Sequence, residues 1–115
     1  MAGVTLQPLD GASDLQRSVL TSAAGGDIPA PAAAGAGQII RVYKLFLVVT
    51  GATSITFKDG STALSGAMAL AANGAITLDL DGQPWFVCSP NSAFNINSSA
   101  STQVSGTVYY TVNKF

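Results

Sequence analysis

The 115 residues carry five Lys or Arg against six Asp, no His and no Glu, for a net charge of −1; 48% are apolar and only 10% charged. That balance excludes a disordered chain and a basic surface that would track a phosphate backbone, while the length suits one domain with room for a core. A lone cysteine, Cys88, excludes an internal disulfide, and a chain without His or Glu lacks the usual general base, every His-based triad and most zinc sites. So little charge leaves the surface to Ser, Thr, Asn, Gly and Ala, a composition that suits burial in a large assembly.

Residues 1–37 read apart from the rest. Val4-Thr5-Leu6 and Ser18-Val19-Leu20-Thr21 are candidate short strands, and Asp14 to Arg17 is an alternative single helical turn capped by Ser13. No charged n-region or apolar h-region marks a signal peptide at this end. From Ala23 to Gly37 the chain is punctuated by Pro and Gly and has almost no large side chain, the composition of a linker or extended arm. The expectation is an arm over 1–37, held by another chain rather than lying along its own sandwich, and a folded domain over 38–115.

The domain opens on Gln38 to Val49, whose run Leu45-Phe46-Leu47-Val48-Val49 is apolar on both faces. Such a strand is expected to be covered on both sides, and at five residues it is far short of the ~20 a membrane helix needs. Thr50-Gly51-Ala52 turns the chain into Ser54 to Lys58, where Ile55 and Phe57 alternate with Ser54, Thr56 and Lys58 before Asp59-Gly60. Thr62-Ala63-Leu64 and Ala67 to Leu70 follow, and Asn73-Gly74 is a hairpin signal because both residues tolerate positive φ. Ile76, Leu78 and Leu80 share a face of the next strand, which Asp81-Gly82 closes. Trp85 to Cys88, Phe94 to Ser98 and Val104 to Val112 complete the series. Gly106 in mid-strand predicts a bulge or a close backbone approach. Turn signals every eight to thirteen residues and no convincing helix predict an all-β fold: a small antiparallel, jelly-roll-like sandwich or barrel of about 7–8 strands. A sandwich of roughly 75 residues without a disulfide is near the lower limit of a self-sufficient core, so oligomerisation is expected to supplement it.

Chemistry is sparse. Asp79 and Asp81 share one strand end, but a calcium loop needs further oxygen ligands at set spacing, so Asp81-Gly82 reads as a turn. Cys88, beside Phe86 and Val87, reads as a small buried hydrophobe, without an imidazole partner to make it a nucleophile. Trp85 and Phe86 must face opposite sides of a strand, one of them into the core. Trp85 or Tyr109 flanked by Asn91, Asn95 and Asn97 would suit a sugar-binding platform, whereas an aromatic filling the sandwich or a subunit seam needs no ligand. Asn97-Ser98-Ser99 matches a glycosylation sequon. No enzyme, cofactor, metal or small-molecule substrate is expected.

The runs Gln38 to Val49, Ser54 to Gly66 and Met68 to Gly74, with Phe94-Asn95-Ile96-Asn97 and Val104 to Tyr110, together resemble small β proteins encoded among the virion genes of tailed bacteriophages. The resemblance covers roughly residues 38–113, rests on strands and turns, and leaves residues 1–37 outside it. It implies a virion structural protein, a capsid decoration (cement) protein on the outer surface of the shell, assembled in the bacterial host cytoplasm. It also implies a major capsid protein as partner and a homo-oligomer, commonly a trimer, with neither nucleic acid nor membrane involved. The alternative is a ligand- or carbohydrate-binding β module of a fibre or tail-associated protein. Leu6, Leu9, Leu15, Val19, Leu20 and Ile28 are the candidate anchoring residues of the arm, and Tyr43, Leu45, Leu47 and Val49 those of the subunit seam.

Overall fold

The longest apolar run becomes the longest strand. In the computed structural model, which describes residues 15–114, β3 spans Gln38–Val49 and pairs along its whole length with β10, Val104–Lys114. β-branched and aromatic side chains dominate both strands, as a half-buried pleated surface favours. On the far side of β10 lies β1, Gln16–Ser22. On the far side of β3, β7 (Ala75–Leu78) and β8 (Phe86–Val87) lie end to end. The second sheet is built in the same way. β2 (Gly26–Pro29) pairs with β9 (Phe94–Ser98), β9 with β4 (Thr53–Asp59), and β5 (Thr62–Ala63) and β6 (Met68–Leu70) lie end to end on β4.

Every pairing is antiparallel, and each sheet has five strands. Counting each end-to-end pair as one interrupted strand leaves eight, ordered 1-8-3-6 in the first sheet and 2-7-4-5 in the second. That is jelly-roll order, and the expected all-β sandwich of about eight strands is the fold observed. Among the described residues there is no helix.

The core fills the space between the sheets. Leu20, Leu45, Leu47, Val49, Val104 and Val108 come from the first sheet, and Ile28, Ile55, Phe57, Phe94 and Ile96 from the second. Phe86 of β8 crosses to the aromatics of the other sheet, with ring centroids 5.2 Å from Phe57 and 5.4 Å from Phe94. Phe57 and Phe94 themselves stack at 5.9 Å. Cys88 is buried beside this cluster, and burial, followed by the nearby charge of Asp59, pushes its thiol up to about 12. It is the inert hydrophobe its neighbours suggest.

Three sequence expectations are corrected. The boundary at residue 37 is absent, because β1 and β2 belong one to each sheet and place Leu20, Ile28 and Ala30 in the core. Residues 16–29 are thus part of the sandwich, and only the portion of the proposed arm over 1–14 lies outside the described residues. Asn73 does adopt positive φ, +65°, yet Asn73-Gly74 forms no hairpin: β6 before it is in the second sheet and β7 after it in the first. Thr50-Gly51-Ala52 likewise hands the chain from one sheet to the other. The one tight hairpin among the described residues is at Asp59-Gly60, where Asp59 pairs with Thr62 and Gly60 takes φ +60° at the first central position.

Gly106 is a close approach and not the bulge. A Cβ there would collide with the Phe46 carbonyl oxygen and come within 2.8 Å of Leu47 Cα. The bulge falls three residues on, between Tyr109 and Tyr110, where Tyr43 is the extra residue of β3. It reverses the parity of the strand, so that Val42 and Ile40 continue the inward row begun by Val49, Leu47 and Leu45.

Candidate functional site: the outer face of the first sheet

Strand alternation fixes which side chains leave the core. With Leu20, Gly106 and Leu47 in one cross-strand row and Leu45 and Val108 in another, the intervening positions point outward. One outward row runs Val19, Thr107, Phe46, Thr77; the next runs Thr21, Ser105, Val48, Ala75. A third holds Arg17, Tyr109 and Lys44, with the Lys44 ammonium 5.5 Å from the centre of the Tyr109 ring. Beyond the bulge come Thr111, Arg41 and Val87.

The large exposed hydrophobics among the described residues are Val19, Phe46, Val48, Leu80, Trp85 and Val87. Four of these, Val19, Phe46, Val48 and Val87, stand in the outward rows just described. Trp85 precedes the inward Phe86, so it faces out beside Val87, and its indole N–H donates to the Asp79 carbonyl at 2.8 Å. Leu80 is in the segment that leaves β7. Three cations share this surface. Arg41 donates to Asn113 Oδ1 at 2.8 Å, and among the described residues no carboxylate pairs with Arg17, Arg41 or Lys44. The surface is apolar, aromatic and positive.

The outer face of the second sheet is its opposite. Asp27, Asn97 and Thr56 form one row, and Pro29, Asn95, Lys58 and Ala63 the next. Asp27 accepts from Asn97 Nδ2 at 2.7 Å and from Lys58 Nζ at 3.1 Å; these hydrogen bonds, Asn97's foremost, hold its carboxyl below the usual 3.8. Asn95 Nδ2 donates to the Gly60 carbonyl at 2.8 Å. At the end of β4, Asp59 Oδ2 accepts from the Ser89 backbone N–H at 3.0 Å and from its hydroxyl at 2.7 Å. Burial raises the Asp59 carboxyl, but hydrogen bonds from Ser92 and Ser89 outweigh it and the net shift is downward. Its other oxygen, Oδ1, is buried without a well-formed hydrogen bond. This face spends its polar groups on one another.

The residues singled out from the sequence divide sharply. Leu6 and Leu9 lie outside the described residues. Leu15 is half-buried just before β1, and Val19 is 68% exposed. Leu20, Ile28, Leu45, Leu47 and Val49 are sealed between the chain's own sheets, and Tyr43 is buried on the other side of β3 by the bulge. With the sandwich closed, Leu20 and Ile28 are not free to anchor an arm on another chain, nor Leu45, Leu47 and Val49 to line a subunit seam, and Tyr43 is only 7% exposed. The surface that remains open on β3 is the opposite parity, Phe46 and Val48. A signal for it exists in the sequence: both share the parity of Lys44, a residue that must reach water. Nor is the sugar-binding arrangement assembled, since Asn95 and Asn97 are on the sheet opposite Trp85 and Tyr109. Asn91 is at the Gln38 end of β3. The described residues enclose no pocket and bring no three acidic, His or Cys side chains together. Comparison with family models, with curated proteins and with solved structures gave no match.

Proposed function

We propose that this chain is a non-enzymatic structural protein of a bacteriophage virion, a capsid decoration protein that docks on the outer surface of the shell through the outer face of its first sheet. The observation that carries the reading is the asymmetry of the two faces: one is apolar and cationic, the other polar and internally bonded. Large apolar side chains gathered on one outer face, beyond what folding needs, mark a candidate interaction site. The resemblance in the strand and turn pattern, together with the jelly-roll strand order, supports the reading of a shell component.

The mechanism is burial. An interface that removed about 400 Å² of apolar surface from water would gain about 10 kcal/mol at ~25 cal/mol per Å². Association costs roughly the same, so one copy attaches weakly and linked copies attach firmly. Arg17, Arg41 and Lys44 would steer the face toward an acidic patch on the major capsid protein.

The test is co-sedimentation of the purified full-length chain with particles on a density gradient. A Phe46→Asp, Val48→Asp double variant changes only outward-facing side chains, and its circular dichroism spectrum and melt against those of wild type check that it is folded before it is compared. The expected result is wild-type protein in the particle band and at least about tenfold lower occupancy for the variant. Wild-type protein left at the top of the gradient, or equal occupancy by both, overturns the proposal.

A further inference from the structure

The edges of a sandwich are where another chain can add a strand, and natural sheets keep them short, charged or interrupted by Pro. Three of the four edges here follow that practice among the described residues. β7 and β8 have four and two residues, β5 and β6 two and three, and β2 has four with Asp27 in it and Pro29 at its end. β1 departs from it. Its seven residues, QRSVLTS, run in unbroken register along β10 from Gln16 opposite Tyr110 to Ser22 opposite Val104. It has no Pro, no bulge, one charge, and a 68% exposed valine in its centre. On its other side no described strand pairs with it.

The strand is also complementary to itself. Val19 is the middle residue of Gln16–Ser22. In an antiparallel pair of β1 strands centred on it, Val19 meets Val19 of the second copy, a favourable β-branched pair. Arg17 then falls opposite Thr21, Ser18 opposite Leu20 and Gln16 opposite Ser22. The single charge of the strand therefore never faces its own copy, which is the arrangement like-charge repulsion requires. We propose that β1 is a self-association edge: two copies of this chain join β1 to β1 about a twofold axis at Val19. The first sheets become one continuous sheet across the axis. The contact is isologous and closes at two copies, in contrast to the trimer the resemblance implies. It is independent of what the outer face docks on, although pairing would set two such faces side by side.

The test uses the full-length chain. Light scattering after size exclusion gives the mass across a concentration series, with the expected result a dimer in equilibrium with monomer. Val19→Asp, at a solvent-exposed position, is expected to raise the dimer dissociation constant by about tenfold or more, with an unchanged circular dichroism spectrum. Register is tested by charge at position 21. Thr21→Glu, facing Arg17 of the second copy, is expected to tighten the dimer, and Thr21→Lys to weaken it; both lose the same hydrogen bond from Gln103. Val19→Cys is expected to cross-link the dimer under mild oxidant, with the native Cys88 buried and out of competition. A monomer at every concentration overturns the proposal. So does any oligomer that persists unchanged in Val19→Asp and resists cross-linking through Val19→Cys.

Discussion

Substituting Gly106 by Ala adds a single methyl group to the third residue of β10, inside the longest strand pair, and the structure gives its consequence. Gly106 pairs with Leu47 on one side and Leu20 on the other. The new Cβ would overlap the Phe46 carbonyl oxygen, and Phe46 C and Leu47 Cα would each lie only 2.8 Å away. All three obstacles are backbone, so no rotamer change relieves the contact. β3 must move away from β10, with loss of ladder hydrogen bonds and of the packing of Leu45, Leu47 and Val49 beneath it. Displacement of backbone inside a packed core belongs with overpacking and buried-network losses, about 4 kcal/mol here. For a domain of this size that lowers the melting temperature by about 20 °C, a large share of a total stability of roughly 5–15 kcal/mol. Thermal denaturation followed by circular dichroism measures it. Gly66→Ala is the control, since a Cβ there meets nothing within 4 Å, and it should melt within about 2 °C of wild type. A Gly106→Ala protein that melts with the control would refute the close approach as a constraint on the fold.

Two further predictions concern titration and reactivity. The carboxyls of Asp27 and Asp59 are both held below 3.8, so the unfolded chain binds more protons than the folded one as the pH falls below about 4. Their contribution is therefore complete above the unfolded value and lost on descent through the folded ones. An Asp27→Asn, Asp59→Asn double variant should be less stable than wild type at pH 7 and lose less stability between about pH 4 and pH 2, as urea midpoints at each pH will show; parallel acid limbs would count against the assignment. Cys88, buried and with its thiol pushed up to about 12, should resist a thiol reagent at pH 8 in the native state and react on unfolding in urea. Fast native labelling would contradict its place in the core.

Much of the fold was legible because one period dominates the chain. Ile55 and Phe57 alternating with Thr56, and Leu45 and Leu47 with Phe46, place strands whatever the sheet they join. Sheet membership was not legible. Asn73-Gly74 has the backbone freedom of a hairpin, and the same freedom serves a crossover between sheets; what decides is that Met68 to Leu70 pair with β4 while Ala75 to Leu78 pair with β3. β1 and β2 were obscured for a different reason. They are short, flanked by the Ala-, Gly- and Pro-rich stretch from Ala23 to Gly37, and each carries one core side chain of size, Leu20 and Ile28. Their pairing partners, β10 and β9, come some seventy or more residues later, beyond the reach of local pattern. Leu45, Leu47 and Val49 failed as a seam on parity, since an apolar run does not say which half of it is inside, and Tyr43 failed because it is buried at the bulge.

The exposed Phe46 and Val48 could be explained without any partner, as residues chosen for strand propensity on a face where packing does not decide. The second sheet answers that explanation. β4 is also a central strand of its sheet, flanked by β9 on one side and by β5 and β6 on the other, and its outward positions are Ser54, Thr56 and Lys58. Polar residues therefore suffice to build an inner strand of this sandwich, and Thr56 provides β-branching without apolar exposure. Nor is solubility served by placing Val19, Trp85 and Val87 on the same side. A jelly roll by itself hosts many unrelated functions, so the fold cannot choose among them. The choice rests on the side chains that folding does not require. In this chain those are concentrated on one face and one edge of the first sheet, where a second molecule would use them.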